Sequence, residues 1–523
     1  MIKSLKRWFF IDSTQRQSFV IGLTAFSASL LLFALISILS LIVSRGLNYF
    51  WPEPIYTVVY QSQETEKAET VYGQIHSEHQ QDKDYTWWVR YSNSQNPFGS
   101  DVLIEDKDLI SITLAKQVAR IQLKNGRVVF GQPEYIHSAD SVSLPMDSFP
   151  VMYETVTKMY DEMHRIRRTS LASIHEDIAE LDQKGVADDA PARQRLMREF
   201  NQWQARVEML EAQSAEFSMY ITFASGEPFR VAFADIETLT FPGQLSNWQK
   251  FKDMGHQIGR FLSDSPKQAN TSGGVFPALF GTILMVLLMT VIVAPFGVLA
   301  AVYLNEYAPN NTLTSIIRIS VSNMAGVPSI VYGVFGLGFF VYTLGGSIDS
   351  LFFSDALPAP TFGSPGLFWA SLTMALLTLP VVIVSTEEGL RRVPDNLRSG
   401  SYALGATHFE TIWHTVLPMA SPGIMTGIIL AIARAAGEVA PLMLVGAVKF
   451  APALPIDSEF PYLHLERQFM HLGVLIYDGA FHSQTNSSSA SMMFAACLLL
   501  LVVVFVLNIA AVVLRTRFRR LYT

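Results

Sequence analysis

The amino-acid sequence predicts an all-α polytopic membrane protein of six transmembrane helices, with a large water-facing α+β insert after the first span that contains a helical hairpin. Three observations predict it. Half of the 523 residues are hydrophobic and only 16% are charged, where a water-soluble chain carries about a quarter charged. The apolar residues gather in blocks of about 20, the length that crosses a bilayer core as a helix. The charges gather elsewhere: residues 44–274 hold 23 Lys/Arg and 32 Asp/Glu, against 15 and 13 in all the rest.

The expected spans are Phe19–Val43, Val275–Tyr303, Ile316–Tyr342, Leu367–Val384, Gly423–Val445 and Met492–Leu514. The third is diluted by Gly and Pro. Lys3, Lys6 and Arg7 precede the first block, but that block is too long for a signal sequence and no A-x-A-like cleavage site follows it. It reads as an uncleaved anchor. Cations set the orientation. With a cytoplasmic N-terminus, the cytoplasmic ends hold Lys3, Lys6, Arg7, Arg16, Arg318, Arg391, Arg392, Arg398, Arg515, Arg517, Arg519 and Arg520. The short outer loops hold only Lys449 and Arg467. Both termini are then cytoplasmic. The expected domains are an N-terminus and first span (1–43), an insert outside the cytoplasm (44–274), and a membrane core (275–523) with a cytoplasmic loop at about 385–421. The single cysteine, Cys497, excludes a disulfide within the chain.

The middle of the insert reads as the helical hairpin. Met152, Val156, Met159, Met163 and Ile166 form an apolar stripe that slips before Ile174, Ile178 and Leu181. A break follows at Gly185, with Asp188 or Asp189 as cap and Pro191 in the first turn of the return arm. That arm carries Leu196, Phe200, Trp203, Val207, Leu210 and Phe217. Two strand-turn-strand patterns flank the hairpin: Val118–Ile136 around Asn125-Gly126, and Met219–Ile236 around Ser225-Gly226. They look like copies of one β unit. The insert holds no metal-ligand cluster and no nucleophile arrangement, so no catalytic and no metal residue is expected.

The stretch between the fourth and fifth blocks is the most informative. Glu387-Glu388-Gly389 and Leu390 to Pro394 lead into "SYALGATHFETIWHTVLPMASPGI", Ser401 to Ile424. Gly405 permits a tight turn, and Pro418 should end a helical run before the next span. This segment resembles the coupling loop of ABC importer permeases, in which a fixed glycine is followed by Leu-Pro. Gly405, Leu417 and Pro418 match at that family's spacing, and Ala403, Ala406 and Thr407 fit around the glycine. Ser399-Gly400-Ser401 stand where the family has Glu-Ala-Ala. "NMAGVPSIVYGVFGLG" (Asn323–Gly338), "IARAAGEVAPLML" (Ile432–Leu444) and "AVYLNEYAPN" (Ala301–Asn310) are similar to the phosphate-specific members, of the PstA type. The resemblance covers Val275–Thr523; the large insert departs from it. It implies a type I importer fold of six helices and a permease role in carrying inorganic phosphate across the inner membrane. Glu388, Ala403, Gly405, Ala406, Thr407, Leu417 and Pro418 would then serve ATPase coupling. The implied partners are a second permease, an ATPase dimer and a periplasmic phosphate-binding protein.

Independently of the resemblance, Arg434 and Glu438 lie four residues apart on one expected helix face. Ionisable groups in a span face a partner or a wet cavity, and the arginine fork suits phosphate oxygens. Arg434 and Glu438 are candidates for an anion path, or for a structural ion pair. Ser329 is a third candidate, because Gly326 and Pro328 interrupt its span and broken helices expose backbone groups where a cavity satisfies them. No G-x-x-x-x-G-K-[ST] loop occurs. The chain therefore binds no cofactor in this reading, and ATP and Mg belong to the partner ATPase. Two other readings stay open: another oxyanion such as sulfate or molybdate, or a membrane scaffold or sensor acting through the hairpin.

Overall fold

A computed structural model describes residues 13–61, 68–81, 84–138, 143–187, 190–267, 272–354, 358–458, 460–482 and 487–522. Lys3, Lys6, Arg7, Asp188 and Asp189 lie outside these described residues. The chain divides into two compact units: residues 1–50 with 258–523, and residues 51–257. The second unit is narrower than the expected insert of 44–274. The first helix, Ser13–Asn48, continues past residue 43, and Phe261 packs edge-on against Tyr49 and Phe50.

Among the described residues, the membrane unit has six helices long and apolar enough to span: Gln17–Asn48, Phe276–Tyr307, Ser329–Phe352, Leu367–Arg391, His408–Gly437 and Ser491–Arg517. The fourth is the most buried and the first is the least. Small residues set its crossings, as they do where apolar helices pack without water to drive them. A side-chain carbon built at Gly297 of the second span would meet Val382, and one at Gly423 of the fifth would lie 2.6 Å from the Cα of Gly389. Met285, Met289, Leu367, Met374, Leu377, Ala431 and Ala435 fill the space between these spans.

Two spans are redrawn. The expected third span, Ile316–Tyr342, is two elements: a helix Thr312–Met324, capped by Asn311 Oδ1 accepting from the Thr314 amide at 2.9 Å, and the span beginning at Ser329. Pro328 holds the extended backbone that separates them. The fifth span begins at His408 and ends at Gly437, so the expected Gly423–Val445 lies too far along the chain. Its polar start hides it from hydropathy. Pro418 does not end a helical run. A π-helical turn, Ile412–Val416, immediately precedes the helix Leu417–Gly437 and widens the chain where the proline ring and missing amide would disrupt an α-helix. Val439 to Val445 form a separate short turn of helix from Ala440 onward.

The second unit contains two antiparallel sheets. The first orders β1 (Tyr56–Gln61), β2 (Ala68–Gln81), β3 (Asp84–Ser92), β4 (Ser100–Glu105) and β5 (Leu109–Leu114) as β4-β3-β2-β1-β5. The second orders β6 (Ala119–Leu123), β7 (Val128–His137), β9 (Ser218–Thr222), β10 (Pro228–Ala232) and β11 (Ile236–Thr240) as β10-β9-β7-β6-β11, with β8 (Ser143–Leu144) beside β7. Counted within each sheet, both read 4-3-2-1-5. Both have a 3-10 turn before the last strand, at Asp106–Asp108 and Phe233–Asp235. The repeated unit is therefore a whole five-stranded sheet. The two stretches read as copies, around Asn125-Gly126 and Ser225-Gly226, are instead neighbouring hairpins of the second sheet. Their turns match closely: Gly126 and Gly226 have φ of 87° and 83°, and their amides donate to Leu123 O at 2.8 Å and Phe223 O at 2.9 Å.

The helical arm is inserted between the second and third strands of the second sheet. Helix Phe149–Arg165 runs through a π turn, Ile166–Leu171, into Ala172–Gln183. That turn is the slip seen in the apolar stripe. Helix Pro191–Ala215 returns, with Ala190 as its cap residue. Met163, Ile166 and Leu171 pack against Val207 and Leu210 across the hairpin.

Candidate functional site

The turn between the fourth and fifth spans is built by two helix signals placed back to back. Helix Asp395–Ala403 stops at Gly405, whose φ of 89° suits glycine. The Gly405 amide donates to Tyr402 O at 2.9 Å and the Ala406 amide to Ser401 O at 3.2 Å. These paired bonds close the helix end. Thr407 then starts the next helix as a capping box, its amide donating to Glu410 Oε2 at 2.8 Å and its hydroxyl accepting from the Glu410 amide at 3.3 Å. The reversal takes only three residues. Leu404 at its tip is 90% exposed, and Tyr402, Phe409 and Trp413 are also exposed.

Among the residues expected to serve coupling, Ala403, Gly405 and Thr407 are exposed on this reversal and Ala406 is half-buried there. Glu388 is exposed in the last turns of the fourth span. Leu417 and Pro418 stand apart, half-buried inside the long helix that follows. Ser401, which stands where the family has alanine, bonds the Thr411 hydroxyl at 2.9 Å and ties the short helix to the fifth span.

The candidate path lies at two chain breaks. Arg434 is in the last turn of the helix Leu417–Gly437, and Glu438 is the first extended residue beyond it. The two are therefore not on one helix face, yet Arg434 Nε lies 3.5 Å from Glu438 Oε1. Both side chains are partly exposed. Ser329 opens the third span just after Pro328, and is half-buried. One turn on, the Tyr332 hydroxyl donates to Met324 O across the break at 2.8 Å. A side-chain carbon built at Gly333 would lie 2.7 Å from the Cα of Pro441. The breaks of the third and fifth spans thus meet.

Sequence reasoning missed three features. His471 is buried beside the second break: a side-chain carbon at Gly473 would meet both His471 Nδ1 and Val439. Its Nδ1 accepts from the Gly473 amide at 3.0 Å, and its Nε2 has no hydrogen-bond partner among the described residues. Desolvation pushes its pKa down to about 4. The second feature is a pair of shielded acids at the ends of the second and fourth spans, where Glu306 meets Arg398 at 3.1 Å and Glu387 lies 3.7 Å from both Arg318 and the exposed Arg391. The third is the apolar tip at Leu404. A lone histidine or acid at the end of an apolar block was the only signal for the first two.

The model of the family described as binding-protein-dependent transport system inner membrane component matches residues 293–520. A phosphate transport system permease protein PstA of Yersinia pestis is 34% identical over 227 residues, 43% of this chain and 68% of that protein. The chain belongs to this family of inner-membrane transport components. Phosphate transport system permease protein PstA 1 of Mycobacterium tuberculosis is 42% identical over 176 residues, 34% of this chain and 52% of that protein. The chain spans about half the length of the mycobacterial relatives it matches. A methionine ABC transporter, MetNI, solved facing inward, overlaps 48% of this chain and 94% of its own at 21% identity and a TM-score of 0.34. The six apolar helices and the family carry the assignment without that overlap. The matched residues include the reversal at Gly405 and both chain breaks.

Proposed function

We propose that the chain is the PstA-type permease subunit of an ATP-driven importer that carries inorganic phosphate across the bacterial inner membrane. The observation that carries the reading is the reversal at Leu404-Gly405-Ala406. It is a rigid, exposed apolar tip between two spans, the shape needed to seat in a groove of a separate ATPase. The PstA relatives support phosphate as the cargo. The partners are a second permease that completes the pore, two ATPase copies that use ATP and Mg, and a periplasmic phosphate-binding protein. The chain itself supplies no catalytic residue and no cofactor site.

In this reading both termini are cytoplasmic and residues 51–257 are periplasmic. Arg391, Arg392 and Arg398 flank the reversal, and Arg515, Arg517, Arg519 and Arg520 lie at and just beyond the end of the last span, on the side that retains cations. Arg434 offers the anion a fork of N–H donors. Glu438 occupies that fork between cycles and releases it when substrate arrives. Ser329 adds a hydroxyl from the facing break. Alternating access would then open the paired breaks first to one side and then to the other.

Labelled phosphate uptake in a deletion strain tests the reading. The wild-type chain restores uptake. With assembly verified, Arg434→Gln lowers uptake about tenfold or more, the loss expected for one charge-assisted hydrogen bond. Wild-type uptake in that variant removes Arg434 from the path. If deletion spares phosphate uptake and stops sulfate or molybdate, the cargo is another oxyanion. If deletion stops no uptake, the chain is a scaffold or sensor.

A further inference from the structure

We infer that Glu306 is a positioning residue that ties the coupling helix Asp395–Ala403 to the second span, so that movement at the ATPase is delivered to two spans together. The inference rests on the ATP-driven reading above, and extends it from the tip that docks to the joint that transmits.

The joint is specific. Glu306 lies in the π turn Tyr303–Tyr307 that ends the second span, and its side chain is 6% exposed. A carboxylate so buried is costly unless its charge and lone pairs are matched. Two groups meet it at Oε1: Asn305 Nδ2 donates to it at 2.8 Å, and Arg398 Nη2 forms an ion pair with it at 3.1 Å. Arg398 belongs to the coupling helix, and the same Nη2 donates to Leu390 O at 3.0 Å, near the end of the fourth span. One guanidinium therefore pins the coupling helix to two spans.

The other side of the coupling helix is held differently. Ser401 bonds Thr411 of the fifth span, and the His408 ring lies between Tyr307 and Tyr402, with centroids 4.9 and 6.3 Å away. The Ser401 and Tyr402 contacts tie the helix to the fifth span, and the Tyr307 contact ties the fifth span to the end of the second. Without Glu306, the helix would stay fixed to the fifth span and lose its charged hold on the second. Glu387 offers no substitute. It lies 3.7 Å from Arg318 and from Arg391, and neither its Oε1 nor Arg318 Nε makes a hydrogen bond. That pair is the wider of the two at 3.7 Å, whereas Arg398 Nη2 lies 3.1 Å from Glu306 and also bonds Leu390 O, although Arg398 Nε makes no hydrogen bond among the described residues.

A positioning role predicts a split between hydrolysis and transport. The test uses the full complex in liposomes, with phosphate uptake and ATP hydrolysis measured on the same vesicles. In Glu306→Gln the charge is lost and the shape is kept. Uptake should fall about tenfold, the scale of one charged hydrogen bond, while hydrolysis stays within about twofold of wild type. Uptake and hydrolysis falling in proportion, or neither falling, overturns the inference.

A second variant guards against misfolding. In a Cys497→Ala background, Glu306→Cys with Arg398→Cys should be uncoupled. Joining the two with a short bismaleimide should restore uptake, because a covalent tie replaces the ionic one. Uptake left low after complete cross-linking overturns the inference. If wild-type vesicles show neither phosphate uptake nor hydrolysis, the ATP-driven reading itself fails, a result distinct from either outcome above.

Discussion

Acids and bases do different work in the two units. In the helical arm they pair at the surface: Lys158–Glu154 and Lys184–Glu180 within one helix, each more than 60% exposed on both sides, and Arg167–Glu211, Arg193–Asp182 and Arg206–Glu162 across the hairpin. Such pairs are screened and contribute little. The arm is held by Met163, Ile166, Leu171, Val207 and Leu210 between its helices. In the membrane unit the apolar surface is plentiful but does not discriminate one helix contact from another. There the few buried polar groups fix where spans begin, break and end. Glu306 fixes the end of the second span, Asp349 the end of the third, and His471 the loop before the last. In the arm the ion pairs stay at the surface around an apolar seam, whereas in the membrane unit buried polar groups set registration.

The sharpest way to break this comparison is at Asp349, which should show the largest effect. Its side chain is 2% exposed, and it accepts from the amides of Phe362 at 2.7 Å, Gly363 at 2.7 Å and Thr361 at 2.9 Å. It thus nucleates the loop after the third span, whose Phe362 carbonyl also accepts from Trp369 Nε1 at 2.7 Å. Asp349→Ala strands three amide donors and should destabilise the solubilised protein by about 3–5 kcal/mol. Asp349→Asn keeps one acceptor and should cost less. Thermal unfolding of the two variants measures this. Equal melting of Asp349→Ala and wild type would remove the distinction between the units.

His471 sharpens it on a smaller scale. Its imidazole is neutral when folded, because burial depresses its pKa to about 4. The unfolded chain takes up a proton near the ordinary histidine value of about 6.5. Below that pH the unfolded state binds more protons, so stability falls as pH falls. The stabilisation is complete above about pH 6.5, and about 2 kcal/mol of it is lost between pH 7 and pH 5. His471→Gln should melt lower at pH 7 and lose less on acidification. An identical pH dependence in both proteins would show that His471 does not titrate on unfolding.

The division also explains what the sequence revealed. Hydropathy located the first, second, fourth and last spans because each is a single apolar run. It misplaced the third and fifth because Pro328 cuts one run and because His408, Glu410 and His414 open the other. Gly405 was legible because a reversal needs a positive φ, which glycine supplies. Asn125-Gly126 was legible for the same reason. The duplicated sheet was not, since its order depends on pairing between strands far apart, such as β6 with β11. Nor was Glu306 with Arg398. Both residues are ordinary in sequence, and only the packing of the second span against the reversal brings them together. Arg434 and Glu438 lie 3.5 Å apart, but across a helix end rather than along a helix face.

The smallest effect is expected in the arm. Lys184 holds Glu180 through a side-chain hydrogen bond and then through its charge, and both lower the Glu180 pKa. A lowered carboxylate pKa would favour the folded state above the unfolded pKa and lose that advantage as pH falls. Here the pair stands in water, where the same charges are solvated in either state. Glu180→Ala should therefore leave the melting temperature unchanged at neutral pH, and should leave its pH dependence unchanged as well. A loss comparable to that of Asp349→Asn would mean that the arm, too, is held by its charges. The face carrying Glu180 would then have to be buried in the assembled protein.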